Sequence, residues 1–267
     1  MLPPSLTLVG AGKMGGAMLA GWLRAGLDPA RTIVIDPLPS AEAGALCGAH
    51  GVALNPSAPA ISDVLVVAVK PQGLSEAVPA LVPLIGPNTL VISILAGKTI
   101  ADLSARLSAP AIVRAMPNLP ASVGRGATGA VASAAVSSRQ REQADALLAC
   151  VGLVEWLDEE ALIDALTAVS GSGPAYVFHL VEALADAGRA AGLPREMADR
   201  LSRATVAGAG ALLDADPREA AQLRKDVTSP GGTTAEALGV LMREDGLASL
   251  MREAVAAAKR RAGELSD

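Results

Sequence analysis

The sequence has few of the side chains that most often carry catalysis or bind metal ions. It contains two cysteines, Cys47 and Cys150, and two histidines, His50 and His179. The cysteines are far apart, lack partners at metal-ligand spacing and form no C-x-x-C motif, so the sequence predicts no metal site. No Ser/His/Asp or Cys/His arrangement is plausible either, which argues against a hydrolase mechanism. His179 lies in an apolar helical stretch and is predicted to be packed or capped.

Aromatic residues, positive charge and long apolar runs are also scarce. With two Trp, one Tyr and one Phe, the core must consist of Ala, Val, Leu and Ile. The formal net charge is −5, and no cluster of Lys and Arg is interleaved with aromatics, so we expect no nucleic-acid partner. No apolar run approaches the ~18 residues of a membrane span, and the first residues lack the basic region of a signal peptide. We therefore expect a cytoplasmic protein without a membrane anchor.

The first half of the chain alternates short β-type runs with helical stretches. Several of these runs are unbroken Val, Ile and Leu, which is typical of parallel strands buried on both faces. The predicted strands are residues 6–10, 32–36, 52–54, 63–69, 89–95, 111–116, 128–133 and 153–157. The predicted helices between them are 14–25, 40–48, 73–81, 99–107 and 138–150. This alternation predicts an α/β domain with a Rossmann-type, doubly wound sheet over residues 1–158.

The second half of the chain reads as helices only. A helical run from Glu159 is interrupted by "SGSG" at 170–173, and Pro174 then begins a long helix that ends at Gly192. Four further helices are predicted at 195–213, 217–226, 233–243 and 246–263. We expect a second, all-helical domain over residues 159–267.

A dinucleotide-binding motif lies near the start of the sequence. Gly10, Gly12 and Gly15 have the G-x-G-x-x-G spacing, follow a predicted strand and open a helix. This arrangement provides a tight turn, an open backbone for the pyrophosphate and close packing of the helix on the sheet. Asp36, at the end of the second strand, occupies the place of the ribose-binding acid. Its alternative role is a turn residue before Pro37.

Asp36 also bears on the choice of cofactor. A carboxylate at this place suits the 2′-hydroxyl of NAD and repels the 2′-phosphate of NADP, and no Arg follows directly. Ser40 could still contact a phosphate. The residues alone therefore favour NADH, with NADPH left open.

Three further strand ends carry small or polar groups. Lys70 and Pro71 follow the strand at 63–69, Ala96 and Gly97 follow the next strand, and Asn118 follows the strand at 111–116. Because the carboxyl ends of parallel strands share one edge of a sheet, we expect these groups to line one crevice. The alternative for Lys70 is a solvated surface lysine.

The segment "TSPGGTT" (228–234) interrupts the helical half with hydroxyls and glycines. Gly231 and Gly232 expose backbone N–H groups before a helix, which suits a carboxylate, and Ser229, Thr233 and Thr234 can add hydrogen bonds. The alternative is N-capping by Thr233 or Thr234 with Glu236. With no proton donor evident elsewhere, hydride transfer from a cofactor to an already protonated imine is the chemistry that fits.

With these segments together, the chain resembles the pyrroline-5-carboxylate reductase family over essentially its whole length. The resemblance is carried by "GAGKMG", "VVAVKPQ", "VISILAGKTI", "RAMPNLPASVGRGATG", "DALTAVSGSGPAYVFHLVEALADAGRAAGLPR" and "LRKDVTSPGGTTAEAL". It implies reduction of (S)-1-pyrroline-5-carboxylate to L-proline with NADPH or NADH. It also implies a helical domain that intertwines with a second subunit, in a homodimer or a ring of dimers, and an active site shared between the two subunits.

The resemblance assigns roles to individual residues. Ser229, Gly232 and Thr233 would hold the substrate carboxylate, and Thr234 would bond the ring nitrogen as the catalytic contact. The segment 170–173, including Ser172 and Gly173, would lie near the nicotinamide. The remaining cofactor-lining residues are Gly10, Gly12, Lys13, Met14, Gly15, Asn55, Ala68, Val69, Lys70, Pro71, Ala96 and Asn118.

The sequence departs from the family pattern at two positions. Leu119 stands where the family usually has Thr, so a polar contact is lost there. Asp36 stands where many members have a neutral or small polar residue, although the family commonly prefers NADPH. The resemblance and the chemistry of Asp36 therefore point to different cofactors.

Three rival functions share parts of the same pattern. A β-hydroxyacid dehydrogenase would need a K-x-x-x-N motif, and none of the lysines at 13, 70, 98, 225 and 259 has Asn four residues on. A related imine dehydrogenase would have the same architecture. A non-catalytic dinucleotide-binding sensor would explain the lack of an acid or base, but it would not need the carboxylate-binding loop at 228–234.

Overall fold

The computed structural model describes residues 1–266, which divide into two compact units. The first unit contains residues 1–171 together with the chain from Ala258 onward, and the second contains residues 172–257. The sequence pattern predicts a domain boundary at 158/159, and that boundary stays a prediction. In the packed structure, residues 160–171 belong to the first unit. The predicted second domain ends at Asp267, which lies outside the described residues.

An eight-stranded sheet forms the centre of the first unit. Its strands lie in the order β3-β2-β1-β4-β5-β6-β7-β8. They are β1 (Leu6–Val9), β2 (Thr32–Ile35), β3 (Ala53–Leu54), β4 (Val64–Val67), β5 (Leu90–Ser93), β6 (Ile112–Met116), β7 (Gly126–Ala132) and β8 (Gly152–Trp156). The first six are parallel to one another. All residues of β1, β4, β5 and β6 are buried, which confirms the prediction of strands buried on both faces. The polar residues among them are Thr7, Ser93 and Arg114.

Helices cover both faces of this sheet. They are α1 (Lys13–Arg24), α2 (Ala41–His50), α3 (Leu74–Leu81), α4 (Ile100–Leu107) and α5 (Ser138–Ala149). One core contains Trp22 of α1, which is fully buried and donates its Nε1–H to the carbonyl of Leu147 at 2.8 Å. The other contains Leu74 and Leu103, from α3 and α4. The doubly wound Rossmann-type fold is therefore confirmed.

The strand β7 runs antiparallel to β6, unlike the other pairs of the sheet. Nine residues (117–125) connect the two strands, and they form only a short 3-10 segment, Leu119–Val123. A parallel connection needs a crossover of a dozen or more residues, so this short link returns the chain directly. The adjacent strand β8 pairs with β7 in parallel after the crossover helix α5.

After a short turn at 157–161, the chain is helical without a break from Leu162 to Gly171. The helix α6 (Leu162–Leu166) continues as a π-helix over Thr167–Gly171. The prediction that "SGSG" interrupts the helix was therefore wrong in part, since Ser170 and Gly171 belong to the wider turn. π-Helical turns are rare in proteins, and a large share of those known lie at functional sites.

The second unit consists of helices in the described residues. They are α7 (Gly173–Ala190), α8 (Arg195–Ala215), α9 (Ala220–Asp226) and α10 (Thr233–Leu241), followed by α11 (Leu247–Ser266), which continues into the first unit. Gly188 of α7 lies against Ala198 of α8, so the two helices pack closely. Many large apolar side chains of this unit are exposed, including Phe178, Leu180 and Leu212. In the described part of the chain, no helix is long and apolar enough to cross a membrane.

Candidate active site

The glycine-rich turn after β1 has the geometry of a pyrophosphate cradle. Gly10 has a φ of +93°, and a Cβ there would lie 2.6 Å from the carbonyl oxygen of Ala68. A Cβ on Gly15 would strike the carbonyl oxygen of Gly10, so these two glycines let β1, α1 and the end of β4 approach closely. By contrast, the space beside Gly12 is open to 4 Å. The turn therefore leaves Gly12 accessible to a ligand.

The N-terminus of α1 is available to a negatively charged group. Gly12 is the N-cap residue, and no side chain caps the helix. The first turn contains no acidic residue and begins with the exposed Lys13, followed by the half-buried Met14. The partial positive charge of a helix N-terminus and its free N–H groups favour phosphate. These residues fit the pyrophosphate of a dinucleotide.

The carboxylate of Asp36 is fixed next to this turn. Its Oδ2 accepts the backbone N–H of Ala11 at 2.7 Å, and its Oδ1 accepts the N–H of Leu38 at 2.9 Å. Asn55, which follows β3, accepts the Asp36 N–H and donates to the Asp36 carbonyl. The sequence predicted Asp36 and Asn55 as separate contributors, and the structure joins them through reciprocal hydrogen bonds.

The ends of β4 and β5 lie side by side on the same edge of the sheet. Ala68 and Val69 are half-buried, whereas Lys70 is exposed and precedes a 3-10 segment that begins at Pro71. Ala96 is exposed, and the adjacent Gly97 has a φ of +69°. The predicted convergence of these strand ends follows from the parallel order of β1, β4 and β5. Their roles in cofactor binding stay predictions.

Asn118, which follows β6, makes two hydrogen bonds within the protein. Its Oδ1 accepts the N–H of Ala127 at 2.9 Å, and its Nδ2 donates to the carbonyl of Ser170 at 2.9 Å. The residue is buried, with 8% of its surface exposed. Asn118 therefore links the start of β7 to the π-helix, in addition to any contact with a cofactor. The neighbouring Leu119, at which the sequence departs from the family pattern, is exposed.

An ion pair that the sequence did not predict fixes the start of the same helical segment. Arg114 of β6 is 3% exposed, and its Nη1 lies 2.7 Å from Oε1 of Glu160. The same Oε1 accepts the N–H of Ile100, the first residue of α4. A buried arginine inside the strand "AIVRAM" needs a partner of opposite charge, so that strand contained the signal.

The "TSPGGTT" loop leads into α10 without a side-chain cap. Gly232 is the N-cap residue and Gly231 has a φ of +67°. Thr233 starts α10, as the alternative expected, but the capping that it also expected is wrong, because Gly232 is the N-cap residue and no side chain caps the helix. Within the described chain, the hydroxyls of Ser229, Thr233 and Thr234 have no hydrogen-bond partner, whereas Thr228 donates to the carbonyl of Arg224 at 2.6 Å. The loop thus presents three hydroxyls and a helix N-terminus.

The predicted site residues are distributed over both units. The glycine-rich turn and the strand ends belong to the first unit, and the loop at 228–234 belongs to the second. Ser172 and Gly173 also belong to the second unit, at the start of α7, directly after the π-helix.

The histidines and cysteines do not add an acid, a base or a nucleophile. His179 is exposed, and its Nδ1 lies 3.1 Å from Oε2 of Glu182, so the prediction that it is packed or capped was wrong. Burial raises the pKa of both the Cys47 and the Cys150 thiol. Among residues 1–266, no three His, Cys, Asp or Glu side chains form a group that could hold a metal ion.

In a comparison with known proteins, family models match both halves of the chain. A family model for pyrroline-5-carboxylate reductase dimerisation matches residues 160–265, and one for NADP oxidoreductase, coenzyme F420-dependent, matches residues 5–97. The pyrroline-5-carboxylate reductase of Pseudomonas aeruginosa is 43% identical over 272 residues, which cover 100% of this chain and 98% of that relative. The chain belongs to the pyrroline-5-carboxylate reductase family. The Synechocystis reductase is 41% identical and covers 97% of each chain.

Solved structures of the family extend this similarity to the fold. The pyrroline-5-carboxylate reductase of Coxiella burnetii is 36% identical, with a TM-score of 0.92 over 99% of both chains. The Plasmodium falciparum enzyme, solved with NADP bound, is 27% identical, with a TM-score of 0.81 over 100% of both chains. The family assignment, the Rossmann-type fold with a helical dimerisation domain, and the class of NAD(P)H-dependent oxidoreductase are thereby confirmed.

Proposed function

We propose that this protein reduces the C=N bond of (S)-1-pyrroline-5-carboxylate with NADPH or NADH and forms L-proline. The observation that carries the proposal is the loop at 228–234. Three of its four hydroxyls, those of Ser229, Thr233 and Thr234, have no hydrogen-bond partner in the described chain, and no side chain caps the helix behind it. A helix N-terminus with free N–H groups attracts a carboxylate, and the substrate has one.

Each residue of this loop has a role in the proposal. The backbone N–H of Gly231, the N–H groups at the start of α10 and the hydroxyls of Ser229 and Thr233 hold the substrate carboxylate. The Gly232 N–H donates to the Ser229 carbonyl at 3.0 Å and so keeps the loop in shape. The Thr234 hydroxyl bonds the ring nitrogen and orients the imine carbon. Because several of these contacts are directional, they fix one face of the ring toward the cofactor.

The cofactor occupies the crevice of the first unit in this proposal. The turn at Gly10, Gly12 and Gly15 receives the pyrophosphate at the N-terminus of α1, beside Lys13 and Met14. Asp36 and Asn55 lie at the adenosine end. The nicotinamide end is lined by Ala68, Val69, Lys70, Pro71, Ala96, Asn118, Ser172 and Gly173. When bound, the reduced nicotinamide supplies the hydride.

The residues at hand suit a protonated imine better than a ketone. A ketone gains negative charge on oxygen as it is reduced and needs a proton donor. In a protonated imine the hydride adds to carbon, and the C=N electron pair moves to a nitrogen that already bears its proton. The loop therefore needs to orient the substrate and does not need to supply a strong acid.

The match to a dimerisation family model supports self-association, and we propose that a second copy of the chain contributes to the active site. As the family resemblance implies, the loop of one subunit completes the crevice of its partner. A homodimer is the smallest assembly that satisfies this arrangement, and a ring of dimers repeats it.

An absorbance assay tests the proposal. Purified protein is mixed with pyrroline-5-carboxylate and either NADPH or NADH, and loss of the nicotinamide band is followed with chromatographic detection of proline. We expect oxidation of at least one cofactor that depends on substrate. Cofactor binding without oxidation of either one would instead favour the sensor. Reduction of NAD(P)⁺ by β-hydroxyacids, with no activity on the imine, would favour the dehydrogenase.

A further inference from the structure

We infer that Asp36 makes this protein selective for NADH over NADPH. The inference rests on the proposed function, since it concerns the cofactor of the same reaction. Family membership leaves the choice open, because it establishes only an NAD(P)H-dependent oxidoreductase. The geometry around Asp36 favours NADH on three grounds: the position of its carboxylate, the arrangement of its neighbour Asn55, and the lack of a compensating cation.

The Asp36 carboxylate is held by both of its oxygens. One accepts the N–H of Ala11 at 2.7 Å, and the other accepts the N–H of Leu38 at 2.9 Å. Ala11 is 1% exposed, so its N–H would lose its acceptor if the carboxylate swung away to admit a phosphate. The negative charge therefore stays beside the glycine-rich turn, where the ribose of the adenosine lies in this fold.

The backbone of Asp36 is fixed as well. Asn55 accepts the Asp36 N–H through Oδ1 at 2.9 Å and donates from Nδ2 to the Asp36 carbonyl at 2.8 Å. Asn55 itself has a φ of +51°, a left-handed conformation that asparagine tolerates better than most residues. These paired bonds tie the end of β2 to the end of β3. A local backbone shift that would move Asp36 must break both of them.

In residues 1–266, no Lys, Arg or His side chain pairs with the Asp36 carboxylate. The sequence has no Lys or Arg between Arg31, which precedes β2, and Lys70, which follows β4. Within the described residues, Asp36 forms no ion pair. Enzymes that accept a 2′-phosphate commonly place an Arg close to it. Here the phosphate would meet a fixed carboxylate, whereas a 2′-hydroxyl could donate a hydrogen bond to it.

Ser40, the remaining polar candidate for a phosphate contact, has another function. Its Oγ accepts the N–H of Ala43 at 3.1 Å and so caps the N-terminus of α2.

The Plasmodium falciparum relative was solved with NADP bound, but it is only 27% identical to this chain. The preference for NADH comes from Asp36 and its neighbours in this chain.

The test compares both cofactors in the intact protein and in three variants. Asp36→Ser removes the charge, and Asp36→Asn keeps an oxygen for the Ala11 N–H, which guards against loss of folding. Glu42→Gln is the matched control, because Glu42 is an exposed carboxylate in the first turn of α2, on the same connection. The readouts are kcat/KM for each cofactor and, independently of turnover, the Kd of NADH and NADPH by fluorescence titration.

We expect the unsubstituted protein to favour NADH by about tenfold or more in both readouts, which is the order of repulsion between close charges. Both Asp36 variants should reduce that ratio by about tenfold, mainly by improving NADPH, while Glu42→Gln changes it less than about twofold. Equal or better use of NADPH by the unsubstituted protein would overturn the inference, as would an unchanged ratio in both Asp36 variants. Activity with NADPH alone would leave the proposed function standing, whereas turnover with neither cofactor would count against that function.

Discussion

Arg114 and Glu160 form an ion pair, Nη1 to Oε1 at 2.7 Å, that joins the centre of the sheet to the start of the helical segment after β8. The end of the same segment is held by the hydrogen bond from Asn118 to the Ser170 carbonyl. Both anchors come from β6 or the residues directly after it. The anchored segment ends at Gly171, directly before Ser172 and Gly173, which are two proposed cofactor contacts.

Glu160→Ala should destabilise the protein. The substitution leaves the Arg114 guanidinium, which is buried, without its counter-charge and removes the acceptor of the Ile100 N–H. We expect the free energy of unfolding to fall by about 2–4 kcal/mol, somewhat below the loss for a fully buried pair because Glu160 is partly exposed. Urea denaturation measures it. Glu159→Ala, at the exposed neighbouring position, should change stability by less than about 0.5 kcal/mol; equal effects of the two would refute the importance of the pair.

Thr234→Ala should slow turnover while leaving cofactor binding nearly intact. The hydroxyl has no partner in the described chain and is proposed to bond the substrate ring nitrogen, so its loss should lower kcat/KM by about 10- to 100-fold. Thr228→Ala is the control in the same loop, because that hydroxyl bonds the carbonyl of Arg224. We expect the control to retain most activity. Loss of NAD(P)H binding in a fluorescence titration of the Thr234 variant would contradict the assigned role.

Gly10→Ala and Gly12→Ala should separate folding from cofactor binding. A Cβ at Gly10 meets the Ala68 carbonyl at 2.6 Å and the backbone there has a positive φ, so unfolding should become easier by about 2–3 kcal/mol. A Cβ at Gly12 meets nothing within 4 Å and should cost less than about 1 kcal/mol. Gly12→Ala should nevertheless weaken NADH binding by about tenfold, since the Cβ occupies space that the pyrophosphate needs. Unchanged affinity would argue against the cradle.

Leu180→Glu should weaken dimerisation. Val177, Leu180 and Leu184 lie three and four residues apart on α7, so they share one face, and each is at least 40% exposed. The dimerisation domain needs such an apolar face, and a charge at its centre should raise the dimer dissociation constant by about 100-fold. Sedimentation velocity across a concentration series measures this. His179→Glu, at the exposed position before Leu180, should leave the dimer nearly unchanged; an unaffected Leu180→Glu dimer would exclude this face.

Much of the fold was predictable because its signals are local. The strand β4 is an unbroken apolar run, and β1 and β5 are apolar apart from Thr7 and Ser93; each is buried over its whole length. The glycines of the turn after β1 were identified by spacing, and the structure assigns a steric reason to Gly10 and Gly15. The antiparallel β7 was not predicted, because strand direction depends on how the short link at 117–125 folds back.

The sequence by itself determined the Rossmann-type sheet, the helical second half, the dinucleotide turn and the family resemblance, since each of these is encoded in neighbouring residues. Tertiary structure decided which distant groups meet. Asp36 bonds Ala11 across 25 positions, Asn118 bonds Ser170 across 52, and Arg114 meets Glu160 across 46. No periodicity encodes such pairs, because their distances depend on strand order and on the loops that return the chain. The residue types were visible in the sequence, but their partners required the packed fold.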